Sequence, residues 1–311
     1  MRRRSAGVVS EVVVLVGFDC DCPRIQYGVS GGQEHLHHTV LGVMERITDL
    51  LLRAGAGHTY FLNGGFLELA RHLGTEARLA AVLDADPVEA GDHGYSHRPY
   101  VPVAGRPDYR PLDVTEIELE LQLTRRLLER VCPRPAVGVR TPLGHPGGLR
   151  EHDTITESLK RQGVRYVSSD LRDPDSRPHA ALVDGSGAAR QPYRYRNGLL
   201  EMPSHGHHDS HFERAARAAP DRADVRRQAY EHYRRLIEDA ATLAVGRDHP
   251  VYVGLVLHPS SIAWYDPDCR VLDRLVGVGG GDGPVPVTFM SYRAGAEHSA
   301  RRRTTPHPTR P

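Results

Sequence analysis

Short apolar runs, separated by stretches with helical periodicity, recur along the whole chain. The runs are Val12–Phe18, His58–Leu62, Pro87–Gly91, Ala136–Val139, Val164–Val167, Leu199–Met202, Val251–Leu257 and Val285–Phe289. Each is rich in Val, Ile, Leu or Tyr and ends in polar residues. A run that is apolar throughout, not alternating, marks a strand buried on both faces. Between runs, Thr39–Arg53 places Val40, Val43, Ile47, Leu50 and Leu51 near a 3.6-residue period and predicts a helix. Asp113, with Glu116 three residues on, reads as a capping box opening a helix over Val114–Val131, which Pro133 and Pro135 end. Strand alternating with helix predicts a parallel β/α architecture. Asp170–Asn197 and Gly277–Gly283 read as irregular. The second contains neither a GxGxxG opening a helix nor a Walker pattern, so it predicts a loop and no phosphate cradle.

At 311 residues, the pattern fits one β/α barrel better than two domains. The expected organisation is a flexible basic N-terminus over 1–10, a barrel over 11–293 and a disordered basic tail over 294–311. A net charge of +1 argues against a nucleic-acid binder with a strong basic field. No apolar run reaches the ~18 residues that would span a membrane. The first residues imitate a signal peptide but lack a small-x-small cleavage site, so Val12–Phe18 reads as a first strand and the expected location is cytoplasmic. Cys20, Cys22, Cys132 and Cys269 are too few for a disulfide scaffold. By strand alternation Cys20 and Cys22 point away from Asp19 and Asp21 and read as packed cysteines.

The chemistry gathers where the strands end. The first run leads into Asp19 and Asp21, the third into Asp92, His93 and His97, and the fourth into Arg140. The fifth leads into Ser168, Ser169 and Asp170; the sixth carries Glu201 and the seventh stops at His258. In a β/α barrel the C-terminal strand ends share one face, where the active site lies. Asp19 and Asp21 fall on one side of their strand, and two close carboxylates call for a proton or a cation. His93 and His97, joined by Asp21, make a two-His, one-carboxylate set with open coordination positions, the mark of a catalytic metal. A two-His-one-carboxylate iron oxygenase is disfavoured, because the order of these residues along the chain is the reverse of the usual one.

Seven segments resemble the polysaccharide deacetylases, the NodB-like family-four carbohydrate esterases, and in particular an intracellular branch with peptidoglycan deacetylase-like and allantoinase-like members. They are GFDCD at 17–21, TYFLNGG at 59–65, HGYSH at 93–97, VRTPLG at 139–144, LLEMP at 199–203, LVLHP at 255–259 and TFMSYR at 288–293. The resemblance implies a distorted (β/α)7–8 barrel of one domain that removes an N-acetyl group with one divalent metal. Zinc is the default from the ligand type, with cobalt, nickel or iron able to occupy the same set. By carry-over, Asp19 is the general base, Asp21, His93 and His97 are the metal ligands, Arg140 holds Asp19, and His258 is the general acid. The backbone N–H of Leu143 would hold the oxyanion, Asp170 would orient His258, and Glu201 and Trp264 would meet the substrate.

Three positions depart from the family pattern. Cys20 separates carboxylates that are adjacent in many members, Gly94 stands where Ser or Thr is common, and Leu143 stands where Tyr is common. A tryptophan-bearing motif near Asp170 is also missing. These departures, and the cytoplasmic reading, favour a small N-acetylated glycoside or biosynthetic intermediate over a polymer. Other readings are a cyclic-amide hydrolase of the allantoinase-like kind and a non-catalytic sugar- or metal-binding barrel. Retention of both Asp19 and His258 weighs against the last. The segment EMPSHGHHDSH, with His205, His207, His208, Asp209 and His211, is expected to overhang the site and to read substrate or take a second metal.

Overall fold

A computed structural model of the chain describes residues 10–21, 33–219, 221–280 and 283–303; Cys22 lies outside them. The elements in order are β1 (Val12–Cys20), α1 (Gln33–Arg53), β2 (His58–Leu62), α2 (Gly64–His72), α3 (Glu76–Asp84), β3 (Val88–Asp92), α4 (Val114–Val131), β4 (Gly138–Pro146) and α5 (Asp153–Arg161). There follow β5 (Tyr166–Arg172), β6 (His179–Ala180), β7 (Tyr193–Arg194), β8 (Leu200–Glu201), β9 (Gly206–His207), α6 (Ser210–Ala218) and α7 (Arg222–Ala244). The chain closes with β10 (Val251–Leu257), α8 (Pro259–Tyr265), α9 (Arg270–Val276), β11 (Val287–Met290) and α10 (Tyr292–Arg303).

Every apolar run of the sequence becomes a strand of one curled sheet, ordered β10-β1-β2-β3-β4-β5-β8-β7. The pairings from β10 through to β8 are parallel, and β7 returns antiparallel along β8. One edge of β1 is shared: Val12–Leu15 pair with β11, and Gly17–Cys20 pair with β2. All of β1 and β10 is buried, which is why these strands are apolar without alternation. The capping box of α4 forms as expected, Asp113 accepting from the Glu116 N–H and Glu116 accepting from that of Asp113.

The sheet is a distorted, incomplete barrel, open between β7 and β10. Gln191 bridges the opening, donating to the Tyr252 carbonyl and accepting from its N–H. His205 does the same at Gly254, its N–H donating to the carbonyl and its Nδ1 accepting from the Gly254 N–H. An exposed row of strand groups would invite pairing with another chain; here side chains and one irregular segment satisfy it.

The start of the tail expected to be disordered from residue 294 is helical, and residues 304–311 lie outside the described residues. Tyr292–Arg303 is a helix, with Tyr292, Ala296 and Ser299 buried and Gly295 set against Leu15. Its Arg-rich composition hid a narrow stripe of small residues that fits closely over β1.

Candidate active site

The C-terminal ends of β1, β3, β4, β5 and β10 open on one cleft of about 180 Å³. Asp19, Asp21, His93, His97, Leu143 and His258 line it, together with Leu171, Arg172, Pro178, His208, Ser210 and Arg214. The fold therefore brings Asp19, Asp21, His93, His97, Leu143 and His258 to the same space, from segments separated by up to the length of the barrel.

Arg140 holds Asp19 from below. It is fully buried, and its Nη1 donates to Asp19 Oδ1 at 2.6 Å. Its guanidinium lies 4.3 Å from the Phe61 ring centre and 4.6 Å from that of Tyr292, a cation between two aromatic faces. Gly17 makes this possible: a Cβ there would come within 2.7 Å of Arg140 Nη2.

Beside this pair, ligand atoms of Asp21, His93 and His97 lie within 4.8 Å of one another. The His93 Nδ1–H donates to the Arg140 carbonyl at 2.8 Å, so the Nε2 lone pair faces the cleft. That Nε2 stands 3.0 Å from Asp21 Oδ1, and the His97 Nε2 stands 3.3 Å from the same oxygen. Asp21 Oδ1 is buried and accepts no hydrogen bond. A lone pair facing a carboxylate oxygen is repulsive unless a cation or proton sits between them, so this donor set fits a divalent metal. Burial alone would raise the Asp21 carboxyl, but His97 and His93 overcome it and hold Asp21 well below the usual carboxylate range. His97 has φ of 59° and Leu143 φ of 66°, left-handed conformations that a non-glycine residue adopts at a cost. Both line the cleft, where such strain concentrates.

On the far side, His258 caps the N-terminus of α8 and is held by Asp209. The His258 Nδ1–H donates to Asp209 Oδ1 at 2.6 Å, and the His258 backbone N–H donates to Oδ2 at 2.8 Å. Burial favours the neutral ring, but Asp209, with Asp19 and Asp21 behind it, raises His258 to about 10. The imidazole is therefore protonated at neutral pH, with Nε2 3.9 Å from Asp21 Oδ2.

Asp170, expected to orient His258, does not reach it. Its carboxylate accepts from Arg190 at 2.6 Å and from the Gly147 N–H at 3.0 Å, and Asp209 fills the expected role. Glu201 does not meet the cleft either. It is fully buried and accepts from the N–H groups of Ser169 and Asp170 and the hydroxyls of Ser169 and Tyr195. It fastens β5 to β8. Trp264 lies outside the cleft, and its ring is taken by Arg217 at 3.9 Å and Arg222 at 5.4 Å. A sugar would have to displace two cations to stack there.

The His-rich segment divides. His208 and Asp209 face the cleft side. His205 seals the barrel opening, and the His207 ring packs on His179, His211 and His232 at 4.3–4.8 Å. Among the described residues only Asp21, His93 and His97 form a compact metal-ligand group. The role of Asp209 was hidden by its distance of 49 positions from His258; the one sequence signal was a carboxylate at the end of a histidine cluster. Cys20 is packed and buried, with Sγ near Met44, while Cys132 and Cys269 are buried and free.

Residues 38–167 match the family model for polysaccharide deacetylases, the family that the motifs resemble. The matched segment holds His93, His97, Arg140 and Leu143. Among solved structures, the chain is similar to a Mycobacterium smegmatis protein described as a "putative polysaccharide deacetylase". The TM-score is 0.58 at 17% identity, covering 99% of this chain and 96% of that one. It is also similar to a GH57-type branching enzyme from Pyrococcus horikoshii, with a TM-score of 0.58 at 11% identity over 94% of this chain and 70% of that one. Peptidoglycan deacetylase PdaC from Bacillus subtilis aligns at a TM-score of 0.44 and 15% identity, over 94% and 93% of the two chains. No curated protein matches the chain. The likeness to the first two establishes the distorted barrel; one fold serves several chemistries, so the reaction must be argued from the site. No helix among the described residues is long and apolar enough to cross a membrane.

Proposed function

We propose that the protein is a metal-dependent amide hydrolase that removes an N-acetyl group from an acetylated amino sugar. The observation that carries this reading is one cleft flanked by two opposed, separately held proton-transfer groups, with a metal-ligand set between them. Asp19 is fixed by Arg140 on one side, and His258 is fixed by Asp209 on the other.

A divalent ion, zinc by ligand type, would be held by Asp21, His93 and His97 and would supply Lewis acidity and a lowered water pKa. Asp19 is the general base. Its partner Arg140 leaves the second carboxylate oxygen, Oδ2, toward His93 and the cleft. Leu143 lines the cleft in a left-handed turn, and its backbone N–H would supply the oxyanion donor. His258, protonated by virtue of Asp209, delivers a proton to the leaving amine. The small cleft favours a single N-acetylated sugar residue at the reacting position, on a small glycoside or oligosaccharide.

The test is acetate release by zinc-loaded protein from N-acetylglucosamine, its small glycosides, chito-oligomers and peptidoglycan fragments, each with a chelator control. Release abolished by chelator and restored by metal supports the reading. No release from any substrate by demonstrably metal-loaded protein removes it.

A further inference from the structure

Next to the cleft lies a second and larger hollow, about 630 Å³ in volume, within the range of small-molecule sites. Its walls come from the irregular chain between β5 and β7 and from the turn that ends β4. Pro146, Pro174, Val183, Ala189 and Pro203 make much of it apolar. Tyr193 closes one side, its hydroxyl donating to the Gly147 carbonyl and the Arg150 guanidinium lying 4.0 Å from its ring centre.

The hollow and the cleft share a partition. Arg172 lines both, its Nε donating to the Leu143 carbonyl at 2.5 Å and its Nη1 to the Ser176 carbonyl at 2.6 Å. Further along the same segment, Pro178 faces the cleft and His179 faces the hollow. A molecule with its acyl group in the cleft therefore has the hollow as its neighbour.

The polar groups around the hollow are largely engaged. Arg190 is matched by Asp170, and Asp184 accepts from its own turn at Ser186 and Ala188. Arg150 forms no ion pair among the described residues, so the chamber offers apolar walls and one available guanidinium at its edge. A chain of further sugars would set many of its hydroxyls against the apolar wall, where hydroxyls that leave water without a partner cost free energy. A flat apolar group loses nothing there and gains by leaving water.

We infer that this hollow receives the non-carbohydrate portion of the substrate, and that the substrate is an N-acylated amino-sugar conjugate bearing a compact, ring-containing apolar aglycone. The inference rests on the hydrolase reading for the cleft but concerns a different surface.

Two probes test it on the full chain: N-acetylglucosamine and its para-nitrophenyl β-glycoside. Binding is measured by calorimetry, and acetate release is measured on zinc-loaded protein. The conjugate should bind at least about tenfold more tightly than the free sugar, with a matching gain in kcat/KM. Val183→Trp and Ala189→Trp, each placing an indole in the hollow, should collapse both ratios toward one. Thermal melts establish that each variant is folded, and either one alone suffices. Equal affinities in the unaltered protein overturn the inference, as does a preference that survives the folded tryptophan variants. A binding preference lost in those variants, with no acetate released from either probe, keeps the hollow and removes the hydrolase reading instead.

Discussion

Asp209 grips His258 twice, at the ring Nδ1–H and at the backbone N–H, with one carboxylate oxygen for each. The two bonds fix both the orientation of the imidazole and the start of α8. They also set its charge, because a fully buried carboxylate at 2.6 Å favours the imidazolium.

Asp209→Asn should therefore separate geometry from charge. Asparagine can still accept one of the two bonds but carries no charge. In metal-free protein, His258 should titrate near 10 and fall by a unit or more in the variant, read by NMR of the ring protons. The raised pKa means that this pair's contribution to stability is fully present below about 6.5 and fades as pH rises through about 10. In the rate profile, the alkaline limb should move to lower pH, and kcat at pH 8 should drop on the order of 10–100-fold. An unmoved limb would remove His258 as the acid.

Metal content should respond to the ligands and not to the base. His97→Ala should lose most of the one divalent ion expected per chain, by elemental analysis after dialysis. Asp19→Asn should keep the ion and lose turnover by about 10²–10⁴-fold. Loss of metal in Asp19→Asn would place Asp19 among the ligands; unchanged content in His97→Ala would exclude His97.

Much of this site was legible because burial on both faces forces parallel strands to be apolar until they end. Polar residues at Asp19, His93, Arg140 and His258 therefore stood out against Val- and Leu-rich runs. What the sequence did not disclose is which polar groups satisfy each other. Asp170 and Asp209 are alike as residue types near the site, yet Arg190 takes the first and His258 the second. Glu201 is a carboxylate carried within an apolar run, but its strand pairs with β5 so that four donors converge on it. Trp264 offered a ring to a sugar until the fold placed two arginines over it. Such pairings depend on register and loop path between distant segments, which local pattern does not carry.

Arg140 offers a test of buried charge. With Asp19 buried at its side, Arg140→Met leaves an unpaired carboxylate in the barrel interior. That should cost about 3–5 kcal/mol of stability, measured by urea unfolding. Adding Asp19→Asn removes the stranded charge and should recover part of the loss. Arg140→Lys keeps the charge but loses the planar group between Phe61 and Tyr292, so it should fall between. Equal stability of all three variants would mean that the pair does not support the fold.

Glu201 gives a pH signature of the same direction as His258 but in a more acidic window. Burial, with Asp170 nearby, pushes its carboxyl up to about 7 despite its four hydrogen-bond donors. For an acid with a raised pKa, the favourable contribution is that of the protonated form. It is fully present below about 4.5 and lost as pH rises through about 7, leaving a buried anion above. Glu201→Gln is neutral throughout. Between pH 5 and pH 8, unfolding free energy should fall more in the unaltered protein than in the variant, by an amount on the order of 3 kcal/mol. Acetate release should persist in the variant, because Glu201 fastens β5 to β8 and does not reach the cleft. Parallel pH–stability curves would mean that the four donors hold Glu201 ionised across the range, and loss of turnover without loss of stability would return it to the reacting site.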